Sequence, residues 1–208
     1  MSVVHLIDTL KSWAEENICS QITLKQPPRE MTAAEDAGYN ANYTLVNPAT
    51  FAMYVPTEEK LPPNIHAPFP SLCVRFMAGE DAPNNNEGFV DIQFCFSTWS
   101  PGTHGKDILN PVGDGSSQQW SGADANKYFE RNGEGWRDVW NFVDIALRAV
   151  ENVTTIGNYT IDRATPIKYG PLTEQEAIPD LYPFWFAWIS FRVKYPLMRN
   201  IADIQKHL

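Results

Sequence analysis

Apolar residues recur along this chain with two periods, one helical and one extended. Over residues 3–18, Val3, Leu6, Ile7, Leu10, Trp13, Ala14 and Ile18 fall at helical spacing, opposed by Asp8, Lys11, Glu15 and Glu16. The spacing predicts an amphipathic first helix. A second stripe, Trp136, Val139, Trp140, Val143, Ala146, Leu147 and Val150, runs at i, i+3, i+4, i+7 against Asp138, Asn141, Asp144 and Glu151. It predicts a helix laid across a sheet. Period two marks the strands. In Ser71 to Ala78, Leu72, Val74 and Phe76 oppose Ser71, Cys73 and Arg75; in Phe89 to Ser97, Val90, Ile92, Phe94 and Phe96 oppose Asp91, Gln93 and Ser97. The stretch GEDAPNNNEG between them is rich in turn formers, so the pair is expected to form an antiparallel hairpin. Asn158 to Arg163 reads as a short strand and Lys168 to Asp180 as a loop.

The last patterned stretch, LYPFWFAWISFRVKYP from Leu181 to Pro196, holds seven aromatics in sixteen positions. Read as a strand, its odd positions (Trp185, Ala187, Ile189, Phe191, Val193, Tyr195) form an unbroken apolar face. Its even positions begin apolar, with Phe184, Phe186 and Trp188, and end polar, with Ser190, Arg192 and Lys194. The odd face is expected to meet the stripe of the second helix. The first half of the even face then needs a cover, either the proline-rich part of this chain or a neighbouring subunit.

Two segments break the pattern. Residues 25–68 are punctuated by seven prolines from Pro27 to Pro68, with Pro70 just beyond, allowing a short strand at Thr50 to Val55, and residues 100–133 are rich in Gly, Pro, Ser and Asn. Both read as loop-rich insertions. The order of elements is that of one α+β domain over 1–208: a mixed, mostly antiparallel sheet covered by two amphipathic helices, with two long loop-rich insertions.

Composition narrows the function. The chain has 208 residues, 43% of them hydrophobic and 20% charged, with net charge −9 and a pI near 4.9. Wrapping nucleic acid through a basic face is disfavoured at that charge, because phosphate contacts need clustered Lys and Arg. Met1 to Ile18 lacks a positively charged start and is interrupted by Asp8, Glu15 and Glu16, so no secretory signal is expected there. No apolar run approaches the roughly 20 residues that span a bilayer, so no membrane partner is expected. Cys19, Cys73 and Cys95 form no CxxC pair, and their odd number argues for reduced thiols packed as small hydrophobes.

Catalytic motifs fail on inspection. GTHGKD at Gly102 to Asp107 resembles a phosphate loop but has Asp107 after the lysine and Ser100 in place of the first glycine. His5, His66, His104 and His207 are scattered singly, and no Cys and His group has zinc spacing. Glu80, Asp81, Asn84, Asn85 and Glu87 lack the alternation and glycine of a calcium loop. No catalytic, cofactor-binding or metal residue is assigned, and no enzymatic activity is expected. The surplus is aromatic instead, and aromatics on exposed loops are enriched at protein interfaces. Phe184, Phe186, Trp188, Trp99 and Trp120 are therefore candidates for a subunit interface.

From VDIQFCFSTWS through GWRDVWNFVDIALRAVEN and NYTIDRA to LYPFWFAWISFRVKYP, the chain resembles the tail terminator (tail completion) proteins of tailed bacteriophages. The likeness covers residues 1–24 and 69–196 and rests on the order and texture of elements. It implies a structural virion protein that forms a ring, typically a hexamer, which caps the tail tube and presents the surface that joins the head. The implied partners are other copies of the chain, a tail tube protein and a head–tail connector, with DNA passing through unbound. Like charge would let DNA slide. The implied location is the tail or neck of the virion, after synthesis in the host bacterial cytoplasm. A head–tail adaptor or other neck component of a phage-like injection machine is the alternative within this class. A small α+β hydrolase or ligand-binding domain built around His104 is the alternative outside it.

Overall fold

The first apolar stripe folds as helix α1, Val3–Asn17, and buries Leu6, Ile7, Leu10 and Ala14. The computed structural model describes residues 2–27, 44–65, 67–100, 135–174, 177–179, 181 and 183–197. Within them lie nine strands: β1 Leu24–Gln26, β2 Thr44–Val46, β3 Ala49–Ala52, β4 Ser71–Ala82, β5 Glu87–Trp99, β6 Thr155–Ile156, β7 Tyr159–Ile161, β8 Lys168–Pro171 and β9 Phe184–Pro196. The second helix, α2, spans Gly135–Glu151.

Strands β1 and β2 form a small ribbon; the others form one seven-stranded sheet ordered β3-β4-β5-β9-β7-β6, with β8 also on β9. Only the β3–β4 pair is parallel, so the architecture is α+β with a mixed, mostly antiparallel sheet. β5 pairs with β9 along its whole length, from Glu87↔Pro196 to Trp99↔Phe184, a ladder about 40 Å long. The other edge of β9 is shared. β8 takes Ala187 to Ser190 and β7 takes Val193 and Lys194.

Both helices lie on one face of this sheet, α1 against β3 and β4 and α2 against β5 and β9. The alternating residues of the strands meet them there: Leu72, Val74, Ile92, Phe94, Phe96, Ile189, Phe191 and Val193 are all buried. Phe96 meets Phe142 of α2 edge to face at 4.9 Å, and Phe94 meets Phe191 across the ladder at 5.1 Å. Burying one such phenylalanine contributes about 2–3 kcal/mol. The C-terminus of α2 is closed by Arg163, whose guanidinium donates to the carbonyls of Val150, Glu151 and Val153. A cation there also complements the helix dipole.

The structure changes four sequence expectations. First, the inward face of α2 is Val139, Phe142, Val143, Ala146 and Val150, while Trp136 is exposed and Trp140 and Leu147 are half-buried. Phe142 and Ala146 point at β5 and β9 and leave the two tryptophans on the shoulders of the helix. Second, the hairpin turn is far shorter than GEDAPNNNEG: β4 runs to Ala82 and β5 starts at Glu87, leaving a 3₁₀ turn at Pro83–Asn85 and a left-handed Asn86, φ 53°. Asparagine tolerates that conformation. Third, Lys168 to Pro171 forms strand β8, because β9 offers an open edge that local sequence cannot reveal. Fourth, the strand expected at Thr50 to Val55 is Ala49–Ala52 and joins the main sheet, so the 25–68 segment supplies one of its strands. The 100–133 insertion lies almost wholly outside the described residues, with only Ser100 inside them.

β3 covers β4 only from Ser71 to Val74. Beyond that, a bulge between Phe76 and Ala78 and the charges of Glu80 and Asp81 blunt the exposed edge.

Candidate functional site

The five candidate interface residues fall into three environments. Phe184 and Phe186 are half-buried, their rings 4.8 and 6.1 Å from Phe69, so the segment leading into β4 covers this part of the even face of β9. Trp188 sits in the cross-strand row Cys73, Cys95, Trp188, Gly170, and its indole Nε1 donates to the Pro171 carbonyl at 3.0 Å. A Cβ on Gly170 would stand 3.3 Å from that indole, so a glycine there lets β8 approach. Trp99 is only 2% exposed and belongs to the interior of the chain, not to an outer surface. Its partner across the ladder is Phe184. Trp120 lies outside the described residues, as does His104.

Among the described residues, the flank of β9 at its start remains uncovered. A pocket of about 400 Å³ opens there between the first turn of α2 and the chain after β8, with walls from Trp136, Trp140, Leu172, Ile178, Leu181 and Phe184. Trp136 is 43% exposed and Ile178 70% exposed. The helical wall is fixed firmly. Trp185 Nε1 donates to the Ser100 carbonyl at 3.0 Å, and a Cβ on Gly135 would lie 2.5 Å from that same oxygen. Gly135 therefore starts α2 in close contact with the end of β5. Lys25 donates to Ser100 Oγ at 3.1 Å and reaches Asp138 at 4.0 Å, tying β1 to the same corner. Leu172 and Ile178 fall in the stretch Lys168 to Asp180 that reads as a loop, and Leu181 opens the last patterned stretch. The signal for this wall is two large apolar residues in a loop that leads into a strand with two apolar faces.

A larger cleft, about 760 Å³, lies on the opposite side of the sheet order between α1, β3 and residues 54–67. It is mixed in chemistry, with Lys11, Glu15, Asn47, Thr50 and Tyr54 on its walls. Glu15 accepts from Thr50 Oγ1 at 3.2 Å, and Asn47 donates to the carbonyls of Cys19 and Ile22.

The polar half of the even face is a salt-bridge network. Arg192 pairs with Asp91 and reaches Glu80 at 3.6 Å, while Lys194 pairs with Asp162 at 3.1 Å. Both cations lie over Phe89, at 5.9 and 5.7 Å from its ring centre. Burial pushes the Asp162 carboxyl up, but hydrogen bonds from Thr165, Lys194 and the Ala164 N–H, with the Lys194 charge, outweigh it and hold it below its ordinary 3.8. Burial pushes the thiols of Cys19 and Cys73 up to about 12, assisted by Glu15 in the first case and by Cys95 in the second. Cys95 is raised by burial as well. These thiols are protonated and unreactive at neutral pH. Among the described residues, no three His, Cys, Asp or Glu side chains gather as a metal site.

Fold and site together define an α+β protein with one helix-covered sheet and an apolar, tryptophan-walled pocket at the start of its longest edge-to-edge strand pair. The chain matches no family model, and no curated protein sequence matches it. Among the described residues, no helix is long and apolar enough to cross a membrane.

Proposed function

We propose that this chain is a structural virion protein of the tail terminator type, working as an oligomeric ring that caps a phage tail tube and joins it to the head. The observation that carries the reading is the apolar surface at the start of β9. Trp136, Leu172, Ile178 and Leu181 all stay exposed around one pocket, at the flank of a sheet that carries both helices on one face. Contiguous apolar surface of this kind marks a place where another protein binds. The element order adds support: first helix, β4–β5 hairpin, covering helix, short strand and long terminal strand follow the sequence resemblance. Its partners in this reading are further copies of itself, the tail tube protein and the head–tail connector, with DNA crossing the ring unbound.

Electron microscopy of the purified protein, paired with size-exclusion chromatography and light scattering, tests this directly. Annular particles of uniform diameter are the expected result. A tight monomer at every concentration would sink the ring reading.

A further inference from the structure

We infer that residues 54–65 are a strap that swings as one piece about Met53, opening and closing the cleft of about 760 Å³ against α1 and β3. The ring reading is not needed for this. Three observations lead there.

The first is how little holds the strap down. Among the described residues, its backbone hydrogen bonds beyond Tyr54 are all internal: the N–H groups of Lys60, Leu61 and Ile65 donate to the carbonyls of Thr57, Glu58 and Pro62. Among the same residues, none of its side chains joins the hydrophobic core or an ion pair. Pro56, Pro62 and Pro63 stiffen it, and the 3₁₀ turn Glu58–Lys60 lies within it. A segment bonded to itself and not to the sheet opens as a unit while the sheet stays intact.

The second is what it covers. Tyr54, Asn64 and Ile65 of the strap line the same cleft as Lys11 and Glu15 of α1 and Thr50 of β3. The frame side is fixed, since Glu15 accepts from Thr50 Oγ1 at 3.2 Å and β3 is paired to β4. Past the strap the chain is anchored again: Ala67 is buried, and the Pro70 carbonyl accepts from the Ala49 N–H at 3.1 Å. The cleft therefore has one wall that can move and one that cannot.

The third is the hinge. Met53 follows β3 with φ 68°, in the left-handed region that side chains with a Cβ seldom adopt. Its N–H donates to the Val74 carbonyl at 2.7 Å, and the Tyr54 N–H donates to the Ala52 carbonyl at 2.8 Å. Turning the Met53 φ to the ordinary negative region leaves the first bond in place and breaks only the second. One hydrogen bond lost is set against backbone strain relieved, so the closed and open conformations lie near balance.

The test uses full-length protein with nitroxide labels on Lys11→Cys and Asn64→Cys, one on each wall of the cleft, and distances read by electron paramagnetic resonance. A second pair, Lys11→Cys and Asp144→Cys on the two helices, is the rigid control. The control should give one narrow distance and the cleft pair two, a shorter closed and a longer open one. Met53 is 45% exposed, so substitutions there leave the core intact, which circular dichroism checks. Met53→Asn should raise the closed share about two-fold or more, because asparagine tolerates left-handed backbone, and Met53→Val should lower it by a similar factor, because a β-branched residue does not. One narrow distance for the cleft pair, unchanged by both substitutions, overturns the strap. Two distances whose ratio ignores both substitutions overturn Met53 as its hinge.

Discussion

Asp91 and Arg192 stand directly opposite each other on the two longest strands and lock through two hydrogen bonds, Nε to Oδ1 at 2.7 Å and a second guanidinium nitrogen to Oδ2 at 3.0 Å. The pair fixes register, because a slip by one residue would turn Arg192 to the apolar face. Replacing Asp91 with Asn should cost about 1–2 kcal/mol, the lower part of the range for charged hydrogen bonds, since both side chains keep some contact with water. Urea unfolding of Asp91→Asn, Arg192→Gln and the double variant would measure it; additive losses would mean the two do not act as a pair.

Asp162 gives the acid limb of stability. Its carboxyl is held below 3.8 in the folded chain, so it stabilises the fold above the ordinary carboxylate range and loses that contribution as pH falls through its lowered value. Asp162→Asn should therefore be less stable than wild type at pH 7, and the gap should narrow towards pH 3. A gap that is constant with pH would assign the loss to shape instead of charge.

The alkaline limb belongs to the buried thiols and Tyr159. Cys19 and Cys73 rise from 9.0 to about 12 and Tyr159 from 10.0 to about 12, all through burial first. The folded state thus holds protons that the unfolded state releases, so stability is full below pH 9 and falls between pH 9 and 12. At pH 8 the native Cys19 has roughly a thousand-fold less thiolate than a free cysteine. Iodoacetamide with mass spectrometry should label it only after denaturation.

Phe142 and Trp136 separate core from surface on α2. Phe142 is fully buried against Phe96, and Phe142→Ala should cost about 3–5 kcal/mol. Trp136→Ala should stay within about 0.5 kcal/mol of wild type in urea unfolding, since its ring is largely at the surface. The reverse order would place the helix a quarter-turn away.

Trp188 anchors β8. Trp188→Ser removes half-buried indole surface and the bond to the Pro171 carbonyl, with an expected loss of about 1–3 kcal/mol. Amide exchange should quicken locally, above all at Leu172, whose N–H donates to Phe186 at 3.2 Å. Unchanged exchange there would show that β8 holds without the tryptophan.

Much of the fold was legible because it is local. α1 and α2, β4, β5, β7 and the inward face of β9 all follow from periods of 3.6 and 2, which are properties of consecutive residues. The candidate site was legible only in part. Phe184, Phe186 and Trp188 were visible as a surplus on a second face, but whether Phe69 or another chain covers them depends on where a distant segment crosses. Trp99 reads as loop-adjacent in one dimension and is core in three, because the β5–β9 ladder extends to it.

The sequence by itself determined the two amphipathic helices, the alternating hairpin and the buried face of the last strand, since each is written in the spacing of its own residues. Only the tertiary structure decided that Lys168 to Pro171 becomes a strand, that Ala49–Ala52 pairs parallel to β4, and that Trp136, Leu172, Ile178 and Leu181 gather around one pocket. Those outcomes depend on open sheet edges and on residues far apart in the chain. Hydrogen-bonding groups on an edge pair with whatever segment the fold delivers to them, and no local pattern records that delivery.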